Sequence, residues 1–394
     1  MTDAQPFTGA ALTAMLPPAV RLLALGEPTH GVEAFPELRN ELFQHLVEHQ
    51  GYRSIALESG CLAGLTADAY VTHGTGTLDD AVSSGLTHDF GASPANRELL
   101  RWMREYNEQR PAHERLHFYG FDGELETMGA ASPRAALTAL HDYLAAYRDL
   151  PWSTATLDGL LGADDRWSNP GAMRDPAQSV GRTPEADRLR VLTDDMRALL
   201  HAYAPGLIAA TSPDTWWRAD LDARTAGALL RYHAAMADTA PDRFSGLLAH
   251  RAAIMADNLD AILRREADRG PTLAFANNGH LQRDESSMTF GGGRQRWWSA
   301  GAILSSHLGD RYAFAAGNFG SLGDDVPPAG TLEGTLSALP YDRAVIDPGR
   351  LTAAYDRRTP ADFTYASIDP ATIDRINALI FIKHVVRAAF FRYG

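Results

Sequence analysis

Val20-Arg21-Leu22-Leu23-Ala24-Leu25-Gly26-Glu27-Pro28-Thr29-His30-Gly31 decides how this chain is read. The apolar run from Val20 to Leu25 reads as a buried strand. It stops abruptly at a carboxylate, and a histidine follows in the next turn of chain. A buried strand that ends on Glu27 aims that group at the strand's C-terminal mouth, where ligands bind in open parallel sheets. The pattern repeats at Ser54-Ile55-Ala56-Leu57-Glu58-Ser59-Gly60. Two such strands in succession place Glu27, His30 and Glu58 within reach of one another, which is the pattern of an active site.

Working outward, the opening third alternates strand and helix. A helix is expected from about Glu33 to Gln50, marked by Phe35, Leu38, Leu42, Phe43, Leu46 and Val47 at helical spacing. Helical stretches follow near 61–73 and 94–108, then a strand at His117–Phe121. Such alternation implies parallel pairing with right-handed crossovers. From about 133 to 270 long helical runs take over (Ala135–Leu150, Pro184–Tyr203, Pro213–Ala237 and Arg243–Arg269). The Gly-, Pro- and Asp-rich stretch Gly162–Thr183 interrupts them and reads as a mobile loop or lid margin. Alternation then returns, with strands at Pro271–Ala276 and Tyr312–Ala316, a helix at Trp298–His307 and another near Pro370–Ala378.

The expected fold class is therefore α/β. A mostly parallel central sheet would carry a large helical insertion packed over the strand C-terminal ends. Residues 1–132 and 271–394 would be the two parts of the α/β core, and 133–270 the helical insertion or lid region.

Composition narrows the function. A formal charge of −13 argues against a nucleic-acid surface, which needs clustered Lys and Arg. No segment approaches the ~18 uninterrupted apolar residues of a membrane span. The first residues lack a basic stretch ahead of an apolar one, so no secretory signal is visible and a cytoplasmic location is expected. A single cysteine, Cys61, excludes a disulfide framework within the chain and any multi-cysteine zinc cluster.

Four strand ends carry polar residues where an α/β enzyme places its chemistry: Glu27 with His30, then Glu58, then Asp122, then Asn277 with His280. Each has an ordinary reading too. Glu27 suits a helix cap, His30 a structural histidine, Asp122 the opening of a loop, and Glu58 a salt bridge, since an unpaired buried carboxylate is costly. Arg39 adds an independent clue. It lies within the apolar stripe of the first helix, and a buried arginine seeks a carboxylate, with Glu27 and Glu58 the nearest candidates. Snorkelling to the surface is the alternative. A histidine oriented by a carboxylate is a general base. Two histidines and carboxylates can also hold zinc or iron, but no His-Glu-x-x-His pair is present and the ligands would come from distant segments. There is no Gly-x-Ser-x-Gly elbow for a nucleophilic serine. General acid–base catalysis without metal or cofactor is the expected chemistry.

These residues resemble the signature of the erythromycin esterase family. The resemblance rests on Leu25-Gly26-Glu27-Pro28-Thr29-His30-Gly31, Glu37-Leu38-Arg39, Ala56-Leu57-Glu58, Trp102 to Asn107, Phe118 to Asp122, Arg251 to Asn258, and Asn278-Gly279-His280. It implies an α/β body with a helical region over a deep cleft, and a metal-independent mechanism in which a histidine activates water. By this resemblance His30 is the base, Glu27 and Glu58 orient or charge-tune it, Arg39 braces the carboxylates, and His280 assists at the substrate. One departure stands out. Where the family's macrolide esterases have His-Asn-x-His, this chain has Asn277-Asn278-Gly279-His280. Asparagine hydrogen-bonds a substrate oxygen but exchanges no proton near neutral pH.

The expected activity is esterase-like, on a macrolide-like or polyketide-like ester or lactone of secondary metabolism, serving antibiotic resistance or biosynthesis. The alternative keeps the same base for a non-hydrolytic cyclisation, acyl transfer, elimination or rearrangement. A silent binder is the third possibility. Asn277 and Asp122 are expected at the substrate, and the pairs Trp216-Trp217 and Trp297-Trp298 suit an apolar cleft wall. Gly291-Gly292-Gly293 is expected to form a flexible rim. A small molecule is the expected partner, with neither nucleic acid nor membrane.

Overall fold

Apolar runs buried on both faces become the middle of one sheet. In the computed structural model, which describes residues 4–126, 129–351, 355–358 and 365–389, eight strands build it. They are β1 (Ala4–Pro6), β2 (Leu22–Glu27), β3 (Ser54–Gly60), β4 (His117–Asp122), β5 (Thr272–Asn277), β6 (Tyr312–Leu322), β7 (Arg343–Ile346) and β8 (Ala378–Val385). Their order across the sheet is β1-β7-β8-β6-β2-β5-β3-β4. From β8 through β6, β2 and β5 to β3 the pairing is parallel, and β7 and β1 close one edge antiparallel. The strand–helix texture thus gives the mixed α/β architecture its residues call for.

Every residue of β2 and β3 is buried. Leu23, Leu25, Ile55, Leu57, Leu273 and Phe275 point to one face and join Leu38, Leu42 and Leu46 of the helix Ala34–His49 in a common core. Each such leucine contributes roughly 1.5–3 kcal/mol by leaving water.

Register then positions the chemistry. Glu27 of β2 pairs with Asn277 of β5, and Leu57 of β3 pairs with Phe275. The strand ends carrying Glu27, Asn277 and Glu58 therefore stand side by side. Gly26 permits this closeness, because a Cβ there would lie 2.1 Å from the Asn278 side chain. Asn278 uses that space to bond both the N–H and the C=O of Gly317 on β6.

Two compact units divide the chain. One comprises Met1–Phe121 and Met255–Gly394, the other Asp122–Ile254. The second unit is helical, with Arg134–Ala145, Thr154–Leu161, Pro184–Ala202, Ala204–Ala210 and Pro213–Met236 among its helices. Its first residue explains its starting point, since Asp122 accepts Nε and Nη2 of Arg251 within the same unit.

Several local expectations are corrected. Gly162–Thr183 forms short helical turns rather than a loose margin. Trp167, Ala172 and Met173 are buried in it, and Arg243 donates to the carbonyls of Ala172 and Met173. The glycines 291–293 are the turn of a β-hairpin, Glu285–Phe290 with Gly293–Trp298. Gly291 and Gly292 at φ 61° and 81° supply the left-handed pair such a tight turn needs. The next helix starts at Ala300, capped by Ser299, because Trp297 and Trp298 belong to the hairpin. Near the C-terminal end, Pro370–Arg375 is a 3-10 helix and Ala378 already begins β8. Among the described residues no helix is long and apolar enough to cross a membrane.

Candidate active site

His30 sits in the loop after β2, which turns on Gly31 at φ 73°. Its Nδ1 hydrogen-bonds Glu27 Oε1 at 2.7 Å, so the carboxylate fixes both the ring plane and the nitrogen that carries the proton. Its Nε2 lies 3.6 Å from Glu58 Oε1, an ion-pair distance that is too long for a hydrogen bond. The same Glu58 oxygen receives His280 Nε2 at 3.1 Å. Glu58's other oxygen accepts the backbone N–H of Asn277 at 2.9 Å. One carboxylate thus ties the ends of β2, β3 and β5 together and sits between two imidazoles. His280 Nδ1 is buried and has no hydrogen-bond partner among the described residues.

Asn277 works from its position. Its side-chain oxygen accepts Gly279 N–H at 2.9 Å and caps the short turn that carries His280. That oxygen is engaged by the backbone, so the asparagine holds His280 in place.

Arg39 is fully buried, as its place in the apolar stripe requires, but its hydrogen bonds go elsewhere than expected. Nε and Nη2 donate to Asn40 Oδ1, and Nη1 donates to Asn96 Oδ1 at 2.8 Å. The guanidinium also lies 4.9 Å from the Phe275 ring centroid. It acts on Glu27 through space, across a cavity of about 30 Å³ whose walls include Glu27, Arg39, Glu58, Asp89 and Phe90. That volume has room for one or two water molecules. Among the described residues no three His, Cys, Asp or Glu side chains are disposed as metal ligands.

The sequence profile of the family described as Erythromycin esterase matches residues 47–385. The chain belongs to the erythromycin esterase family. The profile match includes Glu58, Asn277 and His280 and begins after Glu27, His30 and Arg39. A curated relative, erythromycin esterase type II of Escherichia coli, is 34% identical over 102 residues, which is 26% of this chain and 23% of that protein. The aligned stretch is thus under a quarter of the relative's length. Among solved structures, one from Bacillus cereus superposes with a TM-score of 0.74 at 18% identity, covering 99% of this chain and 97% of that one. A mutant erythromycin esterase, EreC, in its open conformation gives 0.71 at 18% identity, with coverage of 98% and 95%. A succinoglycan biosynthesis protein gives 0.69 at 15%, with coverage of 97% and 95%. At these identities the structures show a shared fold.

In this member of the erythromycin esterase family, burial is the largest influence on each site group. It pushes the Glu27 carboxyl up despite the hydrogen bond from His30. Burial also opposes the His30 imidazolium, yet Glu58 and Glu27 together outweigh it and hold the pKa well above the usual histidine value. Glu58, equally buried, is nevertheless held well below the carboxylate range by His280 and His30. Burial lowers Arg39 to about 10, leaving it charged at neutral pH.

The signs give a pH window. The His30 contribution to stability is complete below 6.5 and is lost as pH rises through the raised folded value. The Glu58 contribution is complete above 4.5 and is lost as pH falls through the lowered value. Urea midpoints measured from pH 6 to about 10 are expected to fall on the alkaline side. In His30→Gln that fall should disappear, and a persisting fall would assign it to another group.

The remaining predicted residues lie apart from this cluster's bonding. Asp122 is fully buried and committed to Arg251, an ion pair within the second unit. Trp216, also in the second unit, donates Nε1 to Leu200 O and meets the His201 ring edge-on. Trp297 is buried in the hairpin opposite Ser286. Sequence reasoning missed three neighbours of the site. Phe90 packs edge-on against His30 at 5.3 Å between ring centroids. Asn96 receives Arg39. Glu33 accepts Ser93 Oγ and Ala95 N–H at the start of the helix Pro94–Asn107, where its charge is favourable. The Ser93-Pro94 start was the available signal for a capped helix, but its acceptor lies 62 residues earlier.

Proposed function

We propose that this protein is an esterase-type enzyme acting on an ester or lactone carbonyl of a macrolide-like or polyketide-like metabolite, with His30 as metal-independent general base. The observation that carries the reading is the placement of His30 between Glu27 and Glu58, with the partnerless Nδ1 of His280 beside the same carboxylate. Family membership and the name of the Escherichia coli relative support ester chemistry.

In the proposed sequence, Glu27 keeps its hydrogen bond to Nδ1–H while Nε2 first loses its proton to bulk solvent. Neutral Nε2 then takes a proton from water as the water oxygen attacks the carbonyl. The tetrahedral intermediate collapses with cleavage of the C–O bond, and the proton passes to the departing alkoxide, giving acid and alcohol. His280 Nδ1 hydrogen-bonds substrate oxygen during these steps. A positioned base of this kind supplies about 10²–10⁴ in rate.

Since the paired carboxylates favour the imidazolium, the competent neutral form gains population only on the alkaline side of the ordinary histidine range. A kcat/KM profile is expected to rise with pH with an apparent pKa above 6.5. A profile already level at that pH would assign the base elsewhere. Incubation with EDTA or 1,10-phenanthroline is expected to leave the rate unchanged, and inactivation reversed by zinc or iron would move the site into the metal class.

A non-hydrolytic reaction at the same base is the second reading, favoured by Asn277, which caps a turn and shuttles no proton. Mass spectrometry after incubation with a panel of macrolides and polyketide lactones separates the two. A product heavier by one water identifies the hydrolase. An isomer, or a product lighter by one water, identifies a ring-forming, rearranging or eliminating enzyme.

A further inference from the structure

His88 and Asp89 are consecutive and both left-handed, at φ 56° and 60°. Among the described residues they are the only non-glycine positions with positive φ. That conformation costs an L-residue free energy, less for His and Asp than for most, and two in succession persist where surrounding bonds hold them. Here they do. Thr87 Oγ1 accepts the backbone N–H of Gly60 at 2.9 Å, and Thr87 N–H donates to Ser59 Oγ at 2.9 Å, fastening the front of the turn to the end of β3 beside Glu58. Behind the turn, Asn96 Nδ2 donates to Phe90 O at 2.9 Å, and Asn96 Oδ1 in turn receives buried Arg39.

The result of this double anchorage is the position of one ring. Phe90 meets the His30 imidazole at 66° and 5.3 Å, and the His88 ring backs Phe90 at 6.0 Å. An imidazole that must present Nδ1 to Glu27 and Nε2 toward Glu58 works in one ring orientation only, since a flip puts carbon where each nitrogen was. The carboxylates hold the ring through its nitrogens, and Phe90 adds a packing contact against the imidazole itself.

We propose that the strained turn Thr87–Phe90 is a positioning element for His30, with Phe90 as its contact and the Arg39–Asn96 pair as its anchor. The proposal rests on His30 being the catalytic base, but its principal test reads the imidazole directly. Phe90, Asn96 and Arg39 are here positioning residues, acting through the orientation of His30.

The test is an NMR titration of the His30 ring, assigned by its loss in His30→Gln, in wild type, Phe90→Leu, Phe90→Tyr and Asp89→Gly. The Phe90→Leu change is expected to move the His30 titration toward the ordinary histidine value, and Phe90→Tyr, which keeps the ring, to restore it. Asp89→Gly relieves the left-handed strain. It is expected to raise the urea midpoint while lowering kcat about tenfold at unchanged KM, on the scale of one aromatic contact. An unchanged His30 titration in Phe90→Leu overturns the proposal. So does an Asp89→Gly enzyme that is stabilised yet keeps wild-type kcat. If no ester is turned over by the wild type, the esterase reading fails while the titration still decides the role of the turn.

Discussion

Replacing His30 by alanine is expected to reduce turnover by about 10³, the middle of the range for loss of a positioned general base. The same change removes the imidazole that lies between Glu27 and Glu58. Two nearly buried carboxylates then face each other with less compensation, and Glu27, already pushed upward by burial, takes up a proton more readily. A modest loss of stability is therefore expected alongside the loss of rate, largest below pH 6.5, where the His30 contribution is complete, and shrinking on the alkaline side. Added imidazole is expected to restore part of the rate by occupying the vacated position. An His30→Ala enzyme retaining more than a tenth of the wild-type kcat would falsify the general-base assignment.

Arg39→Met is expected to have the largest effect on the fold, about 3–5 kcal/mol, the cost of removing one member from a buried charge network. The side chain is fully buried, and its loss deprives the Asn40 and Asn96 oxygens of their donors and Glu27 of its through-space counter-charge. Lysine is not expected to compensate. Its single ammonium lacks the planar fork that reaches Asn40 from two nitrogens and Asn96 from a third. Urea unfolding of Arg39→Met and Arg39→Lys checks both statements, and a lysine variant as stable as wild type would show that charge alone suffices.

The parts of this site that could be read from sequence were those with a local cause. Val20 to Leu25 and Ser54 to Leu57 are apolar, and their abrupt ends at Glu27 and Glu58 mark the mouth of the sheet without knowledge of its strand order. Arg39 was legible as buried because its place in a helical stripe is a matter of spacing. Its partners were not, because Asn96 lies 57 residues away on another helix and carries no charge to advertise the pairing. The turn at His88 and Asp89 was invisible for the opposite reason. Left-handed backbone is ordinarily signalled by glycine, and here long-range bonds from Ser59, Gly60 and Asn96 impose it on other residues. Glycine also misled, since Gly291-Gly292-Gly293 serves a tight hairpin turn instead of a loose rim. Trp216 packs onto the neighbouring helix at Leu200 and His201, and Trp297 is buried in its hairpin, contacts that ordinary packing describes.

The lateral order of the sheet has a consequence for how the chain is made. β2 and β3 leave the ribosome early, yet they never pair with each other, because β5 lies between them. Asn277, whose backbone secures Glu58, is 219 positions later in the chain. Until it emerges, the nascent protein carries two apolar strands with open edges, the kind of species that associates with its neighbours. Pairing at such separation is also slow, since a long loop must close before any contact rewards it. Catalytic competence is consequently a late event in synthesis. A chain interrupted before β5 lacks the strand that joins β2 to β3 and so lacks the assembled site.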